Sequence, residues 1–342
     1  MLDLEKKFPF KKEHFQVFYH PDCLLHEVGS EHPEIPARLS SILRGCARLP
    51  AQLPISFQVP QPARISELEL VHEKQYLLRL ETACLRQSRF FMSPDNRISP
   101  TTFRAVLAAG GCALALAETL RGKGAGFALI RPPGHHASRR SAEGFCYINH
   151  VALAIEAIRL NEPEATFLVV DFDVHHGNGI DYIYCEDPGV FYYSLHGEPD
   201  HIFPHTGYLH ETGCGEGTGY TRNITLPLES SGDHWLRHFE VSLRDFEKKI
   251  RPDYLLVSAG FDAHREDPFG VMKVEDRHFI KAAGLIAEIA GDHCDGKIGF
   301  FLEGGYSIAV LERLVPEIIS VLAVRRNQRN YREVYEQDQE KR

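Results

Sequence analysis

The chain has 342 residues, of which 43% are hydrophobic and 25% are charged, as expected of an ordinary globular protein. Its formal net charge of −9 argues against a general nucleic-acid-binding protein, which would present a basic face. The eight cysteines contain no CxxC pair, and we find no apolar stretch of the roughly 20 residues that span a membrane, so we expect reduced thiols and a cytoplasmic protein.

Short apolar runs alternate with longer helical patterns along the chain. The apolar runs predict buried parallel strands at 16–19, 126–130, 166–172, 190–195, 223–226, 254–259 and 297–302. The periodicity between them predicts helices at 35–48, 66–85, 100–119, 148–159, 234–249, 276–293 and 307–324. This alternation predicts a doubly wound α/β sheet. We expect a single domain over residues 1–342, with a core at about 15–324 and a charged tail at 325–342 that is an exposed helix or a frayed end.

Four of the predicted strands are followed by short segments that carry histidine, carboxylate or tyrosine side chains. They run into RPPGHH (131–136), HHG (175–177), FD (261–262) and EGGY (303–306). Ligands of open parallel sheets bind beyond the carboxyl ends of the strands, so we expect these segments to meet in one site. Each has an ordinary structural explanation by itself, such as a helix cap for Asp262 or a packed ring for Tyr306. Their convergence on one edge of the sheet favours a functional site.

Asp173, His175 and Asp262 are the predicted metal ligands. Residues two apart on an extended strand share a face, so Asp173 and His175 would point to the same side if the strand continued that far. Burial of an uncompensated carboxylate is unfavourable, and a divalent cation would compensate it. Three protein ligands with an open fourth position is the arrangement of catalytic zinc sites. The sequence therefore predicts a catalytic metal at this edge.

The adjacent histidines His135 and His136 offer a base, since a neutral imidazole accepts a proton near pH 7. We expect Asp171 to fix the tautomer of one histidine and Asn178 to accept a hydrogen bond from the other. Tyr306 follows two glycines, which would allow its phenol to lie over the metal and donate to an oxyanion. This set predicts metal-assisted hydrolysis of an amide or ester.

The motifs resemble those of the histone deacetylase family, which has the arginase/deacetylase fold. RPPGHHA (131–137), GFCYINH (144–150), DFDVHHGNG (171–179), SAGFDAHREDP (258–268) and EGGY (303–306) stand in family order, together with HPEIPARL (32–39) and IFPHTG (202–207). The resemblance implies one α/β domain with a central, mostly parallel sheet of about eight strands and helices on both faces. It also implies that the metal is zinc. It identifies His135 as the histidine paired with Asp171, His136 as the general base, and Tyr306 as the residue that polarises the acyl carbonyl.

The resemblance also implies a substrate channel and a second cation. Gly144, Phe145 and Phe203 match the narrow channel for an acyl-lysine chain. A structural potassium ion would be bound by side-chain or backbone oxygens of Asp171, Asp173, His175, Ser194 and Leu195.

Positions at which classes within the family differ indicate the class that this chain resembles. Gly134 and Asn178 look like the class II pattern and its bacterial relatives. Phe269 occupies the rim position where polyamine-specific members place glutamate, which disfavours that type of polyamine selection. Asp95 or Asn96, on the predicted loop before Ser99, would anchor the substrate backbone at the rim.

The predicted activity is zinc-dependent removal of acetyl or another short acyl group from an acylated lysine or a similar primary amine. One alternative is a deacetylase of acetylpolyamines or other small acylated amines, which would use the same site. Another is a noncatalytic module that binds acyl-lysine or a partner protein. Arginase-type ureohydrolysis is disfavoured because it requires a binuclear manganese site with additional ligands. The sequence leaves open the acyl length, the oligomeric state and the choice between zinc and iron.

Overall fold

The computed structural model describes residues 3–340, and it describes side chains up to residue 328. The strands in this part of the chain are β1 (Phe15–Tyr19), β2 (Ile55–Gln58), β3 (Phe90–Phe91), β4 (Ser93–Arg97), β5 (Ala125–Leu129), β6 (Phe167–Asp171), β7 (Val190–Gly197), β8 (Thr221–Leu226), β9 (Tyr254–Ala259) and β10 (Ile298–Leu302). The helices are α1 (Leu4–Lys7), α2 (Ala37–Arg48), α3 (Ile65–Leu68), α4 (Lys74–Leu85), α5 (Thr102–Arg121), α6 (His150–Arg159), α7 (Asn178–Tyr184), α8 (Gly232–Glu247), α9 (Asp276–His293) and α10 (Ile308–Glu340).

Eight strands form one parallel sheet in the order β2-β1-β5-β10-β9-β6-β7-β8. Helices α4, α5, α6 and α7 pack in one layer, and α2, α10, α9 and α8 pack in another. The expected α/β fold with about eight parallel strands is confirmed. The central strands β6, β9 and β10 are buried along their whole length, which explains why they are continuous apolar runs in the sequence.

All seven predicted strands are present, but β2 and the short antiparallel hairpin β3–β4 were not predicted. Strand β2 lies at the edge of the sheet and has only four residues, two of them polar, so it lacks an apolar run. Helix α7 was also not predicted, because it follows directly after the glycine-rich turn of the HHGNG segment.

The helix predicted over 66–85 is wrong as one element, because the chain forms α3 and α4 with a break between them. His72 accepts a hydrogen bond from the backbone N–H of Asn149 (2.9 Å), and the backbone N–H of Glu73 donates to the carbonyl of Arg139 (2.9 Å). These tertiary contacts take the place of helical hydrogen bonds in the break. Helix α10 runs through Pro316 to Glu340, well beyond the predicted end at 324, while residues 341–342 of the predicted tail lie outside the described part.

Helix α5 contradicts the expectation that the chain has no apolar stretch long enough to span a membrane. It has 20 residues and is apolar enough, by length and composition, to cross one. In the fold, 67% of its apolar window is buried, and the helix packs on β5, β1 and α6. Its apolar composition is therefore explained by its position inside the core.

The expectation that all cysteines are reduced is also wrong. Cys185 and Cys214, 29 residues apart, form a disulfide in the structure. The backbone N–H of Cys214 donates to the carbonyl of Cys185 (2.6 Å), so the end of α7 and the loop after β7 already lie side by side there. The other six cysteines are buried.

A buried ion-pair network joins the N-terminal third of the chain to the segment after β10. The Glu34 carboxylate accepts from Arg131 at 2.7 and 2.9 Å and from Arg38 at 3.0 Å. Arg38 also donates to the carbonyl oxygens of Glu303 and Gly305. Because one carboxylate is the ion-pair partner of two buried guanidinium groups, removal of its charge breaks both ion pairs.

We predict that Glu34→Gln lowers the free energy of unfolding by about 3–5 kcal/mol, as is typical when one partner of a buried ion pair is removed. Chemical denaturation of the two proteins measures the difference. Glu31→Gln, at an exposed position nearby in the sequence, is the matched control and should change stability little. Equal unfolding midpoints for Glu34→Gln and the unaltered protein would contradict the prediction.

Candidate metal centre and active site

The four chemically unusual segments meet at one edge of the sheet, as the sequence predicted. They follow β5, β10, β9 and β6, which are consecutive neighbours in the sheet. Because all four strands are parallel, their carboxyl ends lie at the same edge. The sheet order therefore brings together residues that are up to 175 positions apart, from Arg131 to Tyr306.

Asp173, His175 and Asp262 form a cluster of potential metal ligands. One donor atom from each residue lies within 4.8 Å of the others. Nδ1 of His175 is 3.1 Å from Oδ1 of Asp173 and 3.1 Å from Oδ2 of Asp262. Both aspartates are fully buried, and burial together with the charge of Asp173 raises the pKa of Asp262. Two carboxylates and one imidazole nitrogen converging in this way fit a zinc-like cation by donor chemistry.

Backbone groups orient two of these potential ligands. The N–H of Gly304 donates to Oδ2 of Asp173 (2.8 Å), and the N–H of Val174 donates to Oδ1 of Asp262 (2.9 Å). Each carboxylate keeps another oxygen directed at His175. Such outer hydrogen bonds hold metal ligands in position and prevent them from turning away.

The two histidines have different partners and different electrostatic surroundings. Nδ1 of His135 is 3.0 Å from Oδ2 of Asp171, and Nδ1 of His136 is 2.8 Å from Oδ1 of Asn178, as expected. Burial lowers the pKa of His135, but the charges of Asp173 and Asp171 outweigh it and raise that pKa to about 10. Burial and the neighbouring histidines hold the pKa of His136 well below its usual value. These surroundings favour the neutral form of His136 and the protonated form of His135.

Tyr306 lines the same cavity as His136. Burial raises its pKa well above the usual value, so the phenol is protonated at neutral pH and available as a donor. The Arg38 guanidinium lies over the ring, 4.8 Å from its centroid. The rings of Phe145 and Phe269 pack edge-on against Tyr306 at centroid distances of 5.9 and 4.9 Å.

A cavity of about 220 Å³ leads from the surface to this cluster. Its lining contains every predicted channel and rim residue together with catalytic candidates, namely Asp95, His136, Gly144, Phe145, His175, Phe203, Phe269 and Tyr306. A larger cavity of about 430 Å³ lies between α9 and α10, near the amino ends of β1, β5 and β10. That cavity contains none of the predicted site residues, so we assign the chemistry to the smaller one.

Two of the residues predicted to bind potassium, Asp171 and Ser194, lie next to each other in the sheet. Asp171 on β6 pairs with Ser194 on β7, which brings the two predicted ligand segments together. The Ser194 hydroxyl lies 2.8 Å from Nδ1 of His196, and Oδ1 of Asp171 accepts the backbone N–H of Asp173 (3.1 Å). The potassium ion itself stays a prediction.

Sequence reasoning missed two buried carboxylates beside the site. Oε2 of Glu303 accepts the backbone N–H groups of Gly134 (2.7 Å) and His135 (3.1 Å), and Asp267 accepts that of Tyr306 (2.6 Å). Both residues belong to quoted motifs, EGGY and REDP, but their partners are backbone groups from other strand ends. His176, the second histidine of the HHG segment, is buried with its Nδ1 2.9 Å from the Thr206 hydroxyl.

Comparison with known proteins supports the reading of these motifs. Residues 32–322 match the model of the histone deacetylase domain. A probable deacetylase of Methanothermobacter thermautotrophicus is 38% identical over 298 residues, which cover 87% of this chain and 87% of that protein. The acetylpolyamine amidohydrolase of Burkholderia pseudomallei is 32% identical over 341 residues, which cover 86% of this chain and 95% of that protein. The crystal structure of the HDA15 HD domain has a TM-score of 0.82 at 31% identity, covering 90% of this chain and 89% of that one.

We predict that His175→Ala weakens zinc binding by more than about 100-fold, since loss of a direct ligand should exceed the 10–100-fold effect of an outer partner. Equilibrium dialysis against buffered zinc, followed by elemental analysis, measures the affinity. His210→Ala, at an exposed position of the loop after β7, is the control and should bind zinc normally. Equal zinc affinity of the two variants would rule out His175 as a ligand.

Proposed function

Because this chain belongs to the histone deacetylase family, we propose that it is a zinc-dependent amidohydrolase that removes acetyl or another short acyl group from an acylated lysine or a similar primary amine. The observation that carries the proposal is the single cavity in which the potential ligand His175, the neutral His136 and the phenol of Tyr306 meet. The same cavity has aromatic walls that suit an aliphatic stem.

Asp173, His175 and Asp262 would hold the zinc ion. Bound there, zinc would supply a Lewis acid for water and for the acyl carbonyl oxygen. The two carboxylates would reduce the net positive charge at the site, so a separate base is needed to take the proton from water. The potassium ion proposed at Asp171 and Ser194 would offset part of the negative charge behind the ligands.

His136 is proposed as that base. Nδ2 of Asn178 donates to Oε2 of Glu143 (2.7 Å), so its Oδ1 faces His136 as an acceptor. Nδ1 of His136 must then carry the proton, which leaves Nε2 with the free lone pair. The low pKa of His136 supports this role, because burial and the neighbouring His135 favour the neutral imidazole.

His135 and Tyr306 are proposed to act on charge that develops during the reaction. His135, held by Asp171, would stabilise negative charge and supply a proton toward the leaving amine. The Tyr306 phenol would donate to the acyl oxygen as that oxygen gains negative charge. Because both groups are held before substrate arrives, little reorganisation is required during the reaction.

The channel supports a long, thin substrate. Phe145 and Phe203 contribute aromatic walls, and the Phe203 ring packs edge-on against His136 at 4.9 Å. We propose that an acylated lysine side chain passes between them and that Asp95 at the exposed rim accepts a hydrogen bond from the substrate backbone. Phe269 at the rim offers no carboxylate for a distant ammonium group.

A second candidate substrate class is acetylpolyamines. The Burkholderia pseudomallei relative that is an acetylpolyamine amidohydrolase favours it, since this chain covers 95% of that protein. Comparison of kcat/KM for acetyl-lysine peptides, longer acyl-lysine peptides and acetylpolyamines under identical conditions distinguishes the two. Complete resistance of all these substrates to the zinc-loaded protein would contradict the proposed function itself.

We predict that Tyr306→Phe lowers kcat for an acetyl-lysine peptide by about 100-fold or more, because one donor to the developing oxyanion is lost. Zinc content should not change, since Tyr306 is not a proposed ligand. Tyr182→Phe removes a hydroxyl group from an exposed tyrosine and serves as the control. Steady-state kinetics and elemental analysis provide the two measurements, and undiminished turnover by Tyr306→Phe would exclude the proposed role of the phenol.

A further inference from the structure

Asp267 is a buried carboxylate whose two oxygens are both occupied by backbone donors. Oδ2 accepts the N–H groups of Tyr306 (2.6 Å) and Ser307 (3.1 Å), and Oδ1 accepts the N–H of Phe269 (3.1 Å). Its own backbone N–H donates to the carbonyl of His264 (2.8 Å). One side chain therefore links the loop after β9 to the segment after β10.

The two residues that Asp267 holds face each other in the pocket. The rings of Phe269 and Tyr306 are 4.9 Å apart and meet edge to face. Phe269 also packs edge-on against His175 at 6.0 Å, and it is 41% exposed, so its ring stands at the mouth of the cavity. Further along the same loop, the carbonyl of Val271 accepts the N–H of Glu229 (2.8 Å), and the buried Met272 fixes the end of the loop in the core.

We propose that Asp267 is a positioning residue that holds the phenol of Tyr306 and the ring of Phe269, which forms a wall of the channel, in fixed positions relative to each other. The proposal rests on the proposed function of Tyr306 and Phe269, and it assigns Asp267 no contact with substrate. Loss of Asp267 acts on turnover through Tyr306 and on substrate binding through Phe269. A displacement of about 1 Å at such a site is enough to cost about 100-fold in rate.

The variant Asp267→Asn separates the effect of Asp267 on Phe269 from its effect on Tyr306. Asparagine has one acceptor oxygen and one NH₂ group, so it cannot accept from Phe269 and from Tyr306 at the same time. Two donors face Oδ2 and one faces Oδ1, so the amide oxygen should turn toward Tyr306 and Ser307. Asp267→Asn should then raise KM about three- to tenfold with kcat within about threefold of normal, whereas Asp267→Ala should lower kcat about 10- to 100-fold.

Double-mutant cycles test whether the effects pass through the two held residues. In a Tyr306→Phe background, Asp267→Ala should lower kcat little further, because the phenol it positions is already absent. In a Phe269→Ala background, Asp267→Asn should no longer raise KM. Additive effects in both cycles would overturn the proposal. Asp187→Asn is a control away from the pocket, since its carboxylate also accepts a backbone N–H, that of Gly189 (2.8 Å), in addition to its ion pair with Arg159.

Hydrogen exchange provides a readout that does not depend on activity. Both Asp267 variants should speed amide exchange in peptides covering 267–271, and Asp267→Ala should also speed it in those covering 304–308, with no change over 254–259. Uniformly faster exchange would indicate general destabilisation and would overturn the proposal. If the unaltered protein hydrolyses no acyl amine, the proposed function fails, and local exchange still decides whether Asp267 holds the two segments. If the protein is active but the exchange is unaltered, only the role of Asp267 fails.

Discussion

Burial of negative charge at one edge of the sheet is the constraint on which the rest of the structure depends. Five carboxylates are buried at or just beyond the ends of β6, β9 and β10, those of Asp171, Asp173, Asp262, Asp267 and Glu303. A buried carboxylate has lost its hydration and must receive hydrogen bonds, a cation or a proton. All five accept at least one backbone N–H, and three of them also contact a histidine. The strand ends therefore have their particular turns because the carboxylates require donors.

These donors come mostly from the end of another strand, so the segments are interlocked. Val174 after β6 donates to Asp262 after β9, and Gly304 after β10 donates to Asp173 after β6. Glu303 in turn holds the turn before His135. Each segment thus fixes its neighbour, and the groups proposed for catalysis are held by hydrogen bonds that exist before any substrate enters. Electrostatic stabilisation of a transition state requires this kind of prior organisation.

The sequence predicted the parts of this arrangement that have a local signal. Buried parallel strands appear as apolar runs, and the residues that follow them can be assigned to one edge, which is enough to predict Asp171 and Asn178 as partners of the two histidines. Asp267 and Glu303 had no such signal, because a carboxylate that binds backbone N–H groups of a distant segment looks like any turn or surface residue. The Cys185–Cys214 disulfide was missed for the same reason. Its two residues meet only through the folding of separate loops.

The space around Asp173 limits how this protein can diverge. A Cβ atom at Gly304 would lie 2.2 Å from Asp262 and 2.5 Å from Asp173, and one at Gly260 would lie 2.0 Å from Asp173. The side chain of any other residue type at these two positions would collide with the carboxylates, so substitution of either glycine is hardly tolerated. Phe269, in contrast, is 41% exposed at the mouth of the same cavity. Substitution is therefore far less restricted at the mouth of the pocket than at its floor, and divergence of this protein is easier there.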